Sequence, residues 1–274
     1  MSTLLVSAHG RRYQKAKQLG WDPREVDLTA DIADWRHLDD AQREAALRAC
    51  ALFLGGEEAV AADLAPLLIR LRREPGQRAA CFFLASQIWE EAKHAEFFAR
   101  WIEEVAGGAD LDHYLSPSHR RLFGEVLPQS LDALLTDESP EALVRAITTY
   151  HLIIEGTLAE SGYEGFYRCF RDANILPGLV RGIQLVQRDE ARHIAFGIDL
   201  LRELFQRDSS LREVMEAEAE KLFDLAIGTI SEYFAPYPNE TNPFGLTAED
   251  LLSVASSQWS KRYAALSRPY EMSH

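Results

Sequence analysis

The chain has 274 residues, of which 47% are hydrophobic, and a formal net charge of −14. This length allows one large domain or two small ones, and because no linker divides the chain we expect a single domain over residues 1–274 with an ordinary buried core. The acidic balance disfavours nucleic acid and anionic membrane surfaces as partners. No apolar run approaches the roughly 18 residues of a membrane span, and Cys50, Cys81 and Cys169 have no Cys-x-x-Cys spacing. We therefore expect a cytoplasmic protein with reduced thiols.

The first seventy residues change from a mixed pattern to a helical one. Residues 1–37 are interrupted by glycine and proline, which predicts an irregular arm with one short helix near residues 12–19. Good N-cap residues at 39–40 then open a first long helix that runs to about Arg72. Gly55-Gly56 within this helix requires close helix packing or a local distortion, and Pro66 predicts a kink.

Helical patterns continue to the end of the sequence, without strand alternation. Two short helices are expected between residues 109 and 138. Further long helices are predicted over residues 77–105, 139–172, 177–207 and 210–234, and a last helix opens at Thr247 before a tail over 264–274. The pattern predicts an all-α fold, with four long helices around a core and additional helices alongside.

Two of these helices carry the same motif. Glu91 and His94 are three residues apart, as are Glu190 and His193, and residues at this spacing share one face of a helix. A dinuclear carboxylate site in a helical bundle combines two Glu-x-x-His motifs with one further Glu from each of two other helices. The repeat therefore predicts a dimetal carboxylate site in the core.

The third long helix offers Glu155 and Glu160 as its ligand. Glu155 follows the apolar run 152–154, where a lone carboxylate needs a partner. It also precedes Glu190 by 35 positions. We therefore interpret Glu155 as the ligand that this helix supplies.

The first long helix leaves its ligand open between two neighbouring residues. Glu57 precedes Glu91 by 34 positions and Glu58 precedes it by 33. The repeat spacing of the other hairpin favours Glu57 only slightly. Spacing alone does not decide between the two carboxylates.

The donor set indicates which metals would bind. Four carboxylates and two neutral imidazoles carry about −4, which two divalent cations would cancel, and without metal their burial would cost several kcal/mol per ion. Oxygen-rich ligands with one imidazole per metal suit iron and manganese better than zinc. A redox-active metal pair with open positions implies chemistry with O₂.

Other histidines and aromatic residues have simpler interpretations. His151 stands four residues before Glu155 and could share its face, either as a ligand or as a packing residue. Histidines beside loops are expected to be solvated, and the aromatic residues of the second helix are expected in the core. The histidines are His37, His113, His119 and His274, and the aromatic residues are Phe82, Phe83, Trp89, Phe97 and Phe98.

Local sequences around these residues resemble one family. They are Gly56-Glu57-Glu58-Ala59-Val60, Glu90-Glu91-Ala92-Lys93-His94, Tyr150 with Glu155-Gly156, Ile175-Leu176-Pro177-Gly178, and Asp189-Glu190 with His193. Over roughly residues 21–233 the chain is similar to the ferritin-like dimetal carboxylate superfamily. Within it, the likeness is closer to the ligand-binding oxidases related to the small subunit of ribonucleotide reductase.

The resemblance implies a ferritin-like bundle and a specific cofactor. It implies that the first Glu of the Gly-Glu-Glu-Ala-Val motif is the ligand, which selects Glu57. It also implies a manganese and iron pair, with di-iron as an alternative, a long-chain fatty acid in a hydrophobic channel, and a homodimer. The manganese position would be held by Glu57, Glu91 and His94, and the iron position by Glu155, Glu190 and His193, with a bridging carboxylate.

The same family forms an ether crosslink between a valine and a tyrosine, and the matching residues here are Val60 and Tyr150. Val60 is three residues after Glu57 and shares its face. Tyr150 is five residues before Glu155, about 140° round an ideal α-helix, so it reaches the site only through a π-type bulge or an oblique approach. The expected activity is an O₂-dependent, two-electron oxidation of a C–H bond.

Two other functions remain as alternatives. One is a ribonucleotide reductase small subunit, whose common form has a radical-bearing tyrosine four residues after the first His, where this chain has Phe98. The short segment after Tyr263 also offers little room to dock a reductase partner. The other alternative is a non-enzymatic protein that stores metal or carries lipid.

Overall fold

The computed structural model describes residues 6–108 and 110–267, and over these ranges the all-α prediction is confirmed. No strand forms in the described residues, and the one β-type pairing within them is an isolated bridge between Thr241 and Thr247. In these ranges no helix combines the length and the apolarity needed to cross a membrane.

The helices follow one another with short connections. The α-helices are α1 (Ala8–Leu19), α2 (Thr29–His37), α3 (Asp40–Asp63), α4 (Ala65–Arg73), α5 (Arg78–Ala106), α6 (Pro117–Arg121), α7 (Leu127–Asp132), α8 (Pro140–Ile147), α9 (Glu160–Phe166), α10 (Pro177–Arg207), α11 (Leu211–Phe234) and α12 (Ala248–Leu266). The π-helical segments are Leu122–Val126, Thr148–Ala159 and Tyr167–Arg171. The 3₁₀ turns are Pro23–Glu25, Asp112–Tyr114, Ala133–Leu135 and Pro238–Glu240.

The N-terminal region is more ordered than the sequence indicated. Instead of an irregular arm with one short helix, it contains α1, a 3₁₀ turn and α2. The Ser7 side chain caps α1 by accepting a hydrogen bond from the Gly10 backbone. On α1, His9 is within hydrogen-bond distance of Glu203 and Arg12 forms an ion pair with Asp199, both on α10. Because these contacts are distant in sequence, the local pattern did not reveal them.

The first long helix is divided in two. α3 ends at Asp63, and α4 begins at Ala65 with Pro66 in its first turn. Proline has no backbone N–H to donate to the preceding turn, so the single helix predicted to Arg72 breaks here. Close packing accounts for the glycine pair: a Cβ on Gly55 would lie 3.2 Å from Leu115, and one on Gly56 would lie 3.3 Å from Phe123.

The other long helices match their predicted limits to within a few residues. α5 ends where Gly107 adopts a left-handed conformation with φ of 79°, and α10 begins at Pro177. The third predicted helix is continuous from Pro140 to Arg171, but much of it is π-helical. This difference affects the functional site directly.

The site lies where four of these elements pack together. α5 packs on α3, and the Thr148–Ala159 segment packs on α10 and α11. Three of the α5 aromatics that were predicted as core, Phe83, Phe97 and Phe98, are fully buried. The prediction was wrong for Trp89 and Phe82, which are 56% and 37% exposed, because they lie on the outer face of the helix.

Candidate metal centre

The six predicted ligands come together in the core, on four elements. The first Glu is on α3, one Glu-x-x-His motif is on α5, the next Glu is on the π-helical segment, and the second motif is on α10. None of the six residues is more than 6% exposed. They are Glu57, Glu91, His94, Glu155, Glu190 and His193. Glu58, the alternative to Glu57, is exposed.

The ligand atoms form two overlapping groups, each with its atoms within 4.8 Å of one another. The first group consists of Glu57, Glu91, His94 and Glu190, and the second of Glu91, Glu155, Glu190 and His193. Each group offers three carboxylates and one imidazole. Glu91 and Glu190 occur in both groups, so two metal ions held here would share them.

The first position is organised around Nδ1 of His94. This nitrogen lies 3.3 Å from oxygens of both Glu91 and Glu190, and 3.5 Å from Glu57 Oε2. It makes no hydrogen bond among the described residues. A ring nitrogen that faces three buried carboxylates without bonding to them is the arrangement that a metal ion would complete.

The second position repeats this geometry around Nδ1 of His193. That nitrogen lies 2.9 Å from Glu91 Oε1 and 3.4 Å from oxygens of both Glu155 and Glu190. It also has no hydrogen-bond partner among the described residues, and neither does Oε2 of Glu155 or of Glu190. Buried polar atoms rarely remain unpaired, so the donor set fits two metal ions.

The outer nitrogen of each imidazole faces the acid that precedes the opposite motif's glutamate. Nε2 of His94 lies 3.4 Å from Asp189 Oδ2, and Nε2 of His193 lies 2.9 Å from Glu90 Oε2. A carboxylate at this position fixes the ring orientation and leaves Nδ1 free to bind metal. The two motifs therefore support each other across the site.

Cations hold these outer acids in place. Lys93 and the Trp21 indole both donate to Asp189 Oδ2 at 2.7 Å. Arg192 donates to Glu90 at 2.6 Å and to Asp189 at 2.8 Å. Burial alone would raise the pKa of Asp189, but His94 and Lys93 hold it well below its usual range. Asp189 is therefore a carboxylate, the form that orients an imidazole.

Proton affinities in the metal-free site are strongly shifted. Burial raises the pKa of Glu57 to about 8 and that of Glu155 well above its usual value. Burial would also raise the pKa of Glu91, but attraction to His193 lowers it. For His94 and His193 burial opposes the charged form, yet the surrounding carboxylates raise both pKa values. Metal binding must therefore displace protons from the site.

The π-helical segment brings Tyr150 to the metal site. Within Thr148–Ala159 the backbone is bonded from residue i to i+5, so Tyr150 lies beside Glu155 instead of 140° away. The Tyr150 hydroxyl donates to Glu91 Oε1 at 2.7 Å and accepts from Gln87 Nε2 at 2.9 Å. The expected π-type distortion is present.

A cavity of about 120 Å³ adjoins the ligands. Its lining is mainly apolar and draws on both large hydrophobic clusters of the core. Val60 and Tyr150 line it together with four predicted ligand carboxylates, and its wall also includes Phe170, Leu246 and Leu251.

The remaining histidines differ in part from expectation. His151 is fully buried but belongs to neither ligand group. It packs against Tyr150 and Phe196, so it is a packing residue. The prediction that His119 is solvated was wrong, because His119 is 3% exposed and its Nε2 bonds to the Leu52 carbonyl. His37 and His113 are exposed, while His274 lies outside the described residues.

Several residues at the site were missed by sequence reasoning. They are Gln87, Glu90, Lys93, Asp189 and Arg192. The repeat did contain a signal, because an acid precedes each motif's glutamate and a base precedes each motif's histidine. Gln87 has no counterpart in the second motif, so its place beside Tyr150 and Glu155 required the structure.

Known proteins resemble the chain over nearly its whole length. The family model of the ribonucleotide reductase small chain matches residues 10–253. A solved R2-like ligand-binding oxidase with an aerobically reconstituted Mn/Fe cofactor is 33% identical, with a TM-score of 0.90 over 96% of this chain and 94% of that chain. A variant of such an oxidase with Phe in place of Tyr is 33% identical, with a TM-score of 0.88 over 95% and 93%.

Proposed function

Because this chain belongs to the ribonucleotide reductase small-chain family, we propose that it is a manganese- and iron-dependent oxidase that uses O₂ to oxidise a C–H bond. The ferritin-like fold predicted from the resemblance is confirmed by the helical structure and by the R2-like oxidase structures that it matches. The observation that carries the proposal is the pair of overlapping carboxylate and imidazole groups beside Val60 and Tyr150.

The ligands divide between the two metals as the resemblance implies. Glu57 and His94 would hold the manganese position, and Glu155 and His193 the iron position, with di-iron as the alternative occupancy. Glu91 and Glu190 face both positions. Bound manganese and iron would supply the reduction of O₂, and oxygen-rich ligand sets of this kind suit both metals.

The positions of Tyr150 and Val60 support the proposal of an ether crosslink between them. Both line the cavity that the ligand carboxylates also line, and Val60 is 4% exposed. The Tyr150 O–H already points at Glu91, so a carboxylate is in place to take the phenolic proton. Crosslinking would remove one hydrogen from Val60 and one from Tyr150 and join the two residues by a C–O bond.

The apolar cavity supports a long-chain fatty acid as ligand. A carboxylate head would suit the metal pair, and the apolar wall formed by Phe170, Leu246 and Leu251 would cover the hydrocarbon chain. We further propose a single-domain cytoplasmic protein that acts as a homodimer.

The reductase alternative receives less support from the site. Phe98 is fully buried and packs on Phe53 and Phe97, so that position offers no hydroxyl to carry a radical. The Tyr150 hydroxyl instead donates a hydrogen bond directly to Glu91, a predicted metal ligand. Co-purification of a large catalytic subunit with the native protein would favour the reductase hypothesis over the oxidase hypothesis.

Replacing Tyr150 by Phe tests the proposal. The variant keeps all six ligands, so it should bind two metals, but without the phenolic oxygen it cannot form the ether. The measurement is peptide mass spectrometry after the metal-loaded, reduced protein has been exposed to O₂. Trypsin would release Val60 in residues 49–70 and Tyr150 in residues 146–168.

Tyr167 provides the matched control. It lies in the same tryptic peptide, and its hydroxyl bonds to Gln187, away from the ligands. Tyr167→Phe should therefore crosslink like the native protein. A joined peptide pair in Tyr150→Phe, with two hydrogens missing, would show that Tyr150 is not the crosslinking residue.

A further inference from the structure

Gln87 lies within the site but is not one of the six predicted metal ligands. It lies on α5, one turn before Glu91, and is fully buried. Its Nε2 donates to the Tyr150 hydroxyl oxygen at 2.9 Å and to Glu155 Oε1 at 3.2 Å. A fully buried amide depends on such contacts. Gln87 of α5 therefore contacts both the tyrosine and a predicted metal ligand on the π-helical segment.

The orientation of the amide follows from its neighbours. Glu155 must be ionised to hold a metal, and if the amide were then reversed, its carbonyl oxygen would face the Glu155 carboxylate and bring two acceptors together. The amino group must therefore face both Glu155 and Tyr150. Because that group only donates, the Tyr150 oxygen accepts from Gln87 and directs its own proton to Glu91 Oε1 at 2.7 Å.

We propose that Gln87 is a positioning residue for the Val60–Tyr150 crosslink, which aims the phenolic oxygen for reaction. A phenol oxygen has one proton and two lone pairs. Here the proton is directed to Glu91 and one lone pair is occupied by Gln87, so a single lone pair remains to form the new bond. Tyr150 and Val60 line the same cavity. This inference rests on the proposed oxidase function.

The crosslinking step balances with O₂ as the electron acceptor. The Val60 C–H bond and the Tyr150 O–H bond break, and a C–O bond forms between the two residues. Two electrons and two protons leave in total, and O₂ takes up both electrons and both protons to become hydrogen peroxide, with the phenolic proton passing by way of Glu91. Glu91 accepts the phenolic proton, while the Gln87 N–H still faces the oxygen after it has become an ether. Gln87 thus holds one atom in place throughout the reaction.

Two substitutions separate the donor from the shape of the side chain. Gln87→Met keeps a similar volume but removes the N–H donor. Gln87→Glu keeps the shape but supplies an acceptor, which would compete with Glu91 for the phenolic proton. Gln77→Met is the matched control, because Gln77 is buried at the start of the same helix and bonds to Glu203, remote from the site.

The first experiment follows crosslinking over time. Each metal-loaded, reduced protein is exposed to O₂, its metal content is measured, and the joined peptides 49–70 and 146–168 are quantified. Gln87→Met should retain two metals and crosslink about tenfold more slowly, as expected for one lost hydrogen bond. Gln87→Glu should be slower still, and Gln77→Met should match the native protein. Crosslinking of Gln87→Met at the native rate would overturn the inference.

A second experiment does not depend on the reaction. Crystal structures of the zinc-loaded native and Gln87→Met proteins, in which redox chemistry is silent, report the position of the Tyr150 oxygen. The native protein should keep it 2.7 Å from Glu91, and in the variant the phenol should turn away. If the native protein forms no crosslink, the proposed function fails, but this structural comparison still tests Gln87. An unmoved phenol in Gln87→Met would overturn its role.

Discussion

The helix that carries Glu57 and the helix that carries Glu155 occupy matching places in two helical hairpins, but their backbones differ. Around Glu57, α3 is α-helical, and Gly55 and Gly56 allow close packing against Leu115 and Phe123. Around Glu155 the backbone is π-helical from 148 to 159. The ligand sets of the two halves are nevertheless equivalent.

The two backbones place different residues beside their ligands. On the α-helix, the neighbour of Glu57 is Val60, three positions later. On the π-helix, the neighbour of Glu155 is Tyr150, five positions earlier. One hairpin thus supplies the carbon and the other the oxygen of the proposed ether. Four predictions test how far the two halves are equivalent.

Glu190→Ala should give the largest effect, because Glu190 faces both metal positions. We expect metal affinity to fall by about 100-fold or more, since even outer partners of ligands contribute 10–100-fold. Glu57→Ala and Glu155→Ala should each weaken mainly one metal. Metal titration measures this, with the exposed Glu103→Ala as control. Two metals bound at native affinity in Glu190→Ala would contradict the shared site.

Asp189→Asn and Glu90→Gln compare the acids that support the two histidines. Asp189 accepts from Trp21, Lys93 and Arg192 and faces His94, whereas Glu90 has fewer partners. We therefore expect Asp189→Asn to reduce metal affinity by about 10–100-fold and Glu90→Gln to reduce it less. Metal affinity is measured by competition with a chelator. Equal losses of affinity in the two variants would show that the additional donors to Asp189, Lys93 and Trp21, contribute nothing.

Gly156→Ala and Gly56→Ala compare the backbones directly. A Cβ on Gly156 would lie 2.8 Å from the His151 carbonyl, whereas one on Gly56 would meet only the Phe123 ring at 3.3 Å. The first change forces the π-helical backbone to move and should lower the free energy of unfolding by about 1–3 kcal/mol. For Gly56→Ala, crowding offsets a helix-propensity gain of about 1 kcal/mol, so little change is expected. Urea unfolding measures the free energy of unfolding of both variants. Equal changes in the two variants would contradict the expected difference between the π-helical and α-helical backbones.

The stability of the metal-free protein should fall as the pH rises. The pKa of Glu57 is about 8 in the folded protein, against 4.5 for an exposed glutamate, so the folded state holds a proton that the unfolded state releases between these values. The raised pKa values of His94 and His193 act in the same direction above pH 6.5. The lowered pKa values of the buried His119 and His151 oppose this trend below about pH 6.5, but fewer groups act in that direction. We therefore expect unfolding to need at least about 1 kcal/mol less at about pH 7.5 than at about pH 5.5.

Chelated protein should be used for this pH comparison, with Glu57→Gln as the control. The control variant lacks one of the titrating groups, so its stability should depend less steeply on pH. A metal-free protein whose free energy of unfolding increases between about pH 5.5 and 7.5 would contradict the assignment of these protons.

Spacing along the sequence predicted the all-α fold and five of the six residues that meet in the core, while the family resemblance selected Glu57 over Glu58. Helix limits were also predictable where a cap was present, as at Gly107 and Pro177. Such features depend on residues that are close in sequence. The split near Pro66 was predicted as a kink for the same reason.

Contacts between distant elements could not be predicted in this way. The π-helical path that brings Tyr150 to Glu91 depends on how the segment packs on α10 and α11. The crossed pairing of Glu90 with His193 depends on the packing of α5 against α10. Sequence periodicity specifies which face a residue lies on, but not which partner it meets.

Metal analysis combined with peptide mass spectrometry of the native protein tests the central claim most directly. The reduced, metal-loaded protein is analysed before and after exposure to O₂. We predict close to one manganese and one iron per chain, with peptides 49–70 and 146–168 joined through Val60 and Tyr150 and two hydrogens lost. Two bound metals with the peptides still separate would contradict the oxidase proposal and leave the metal site without its proposed reaction.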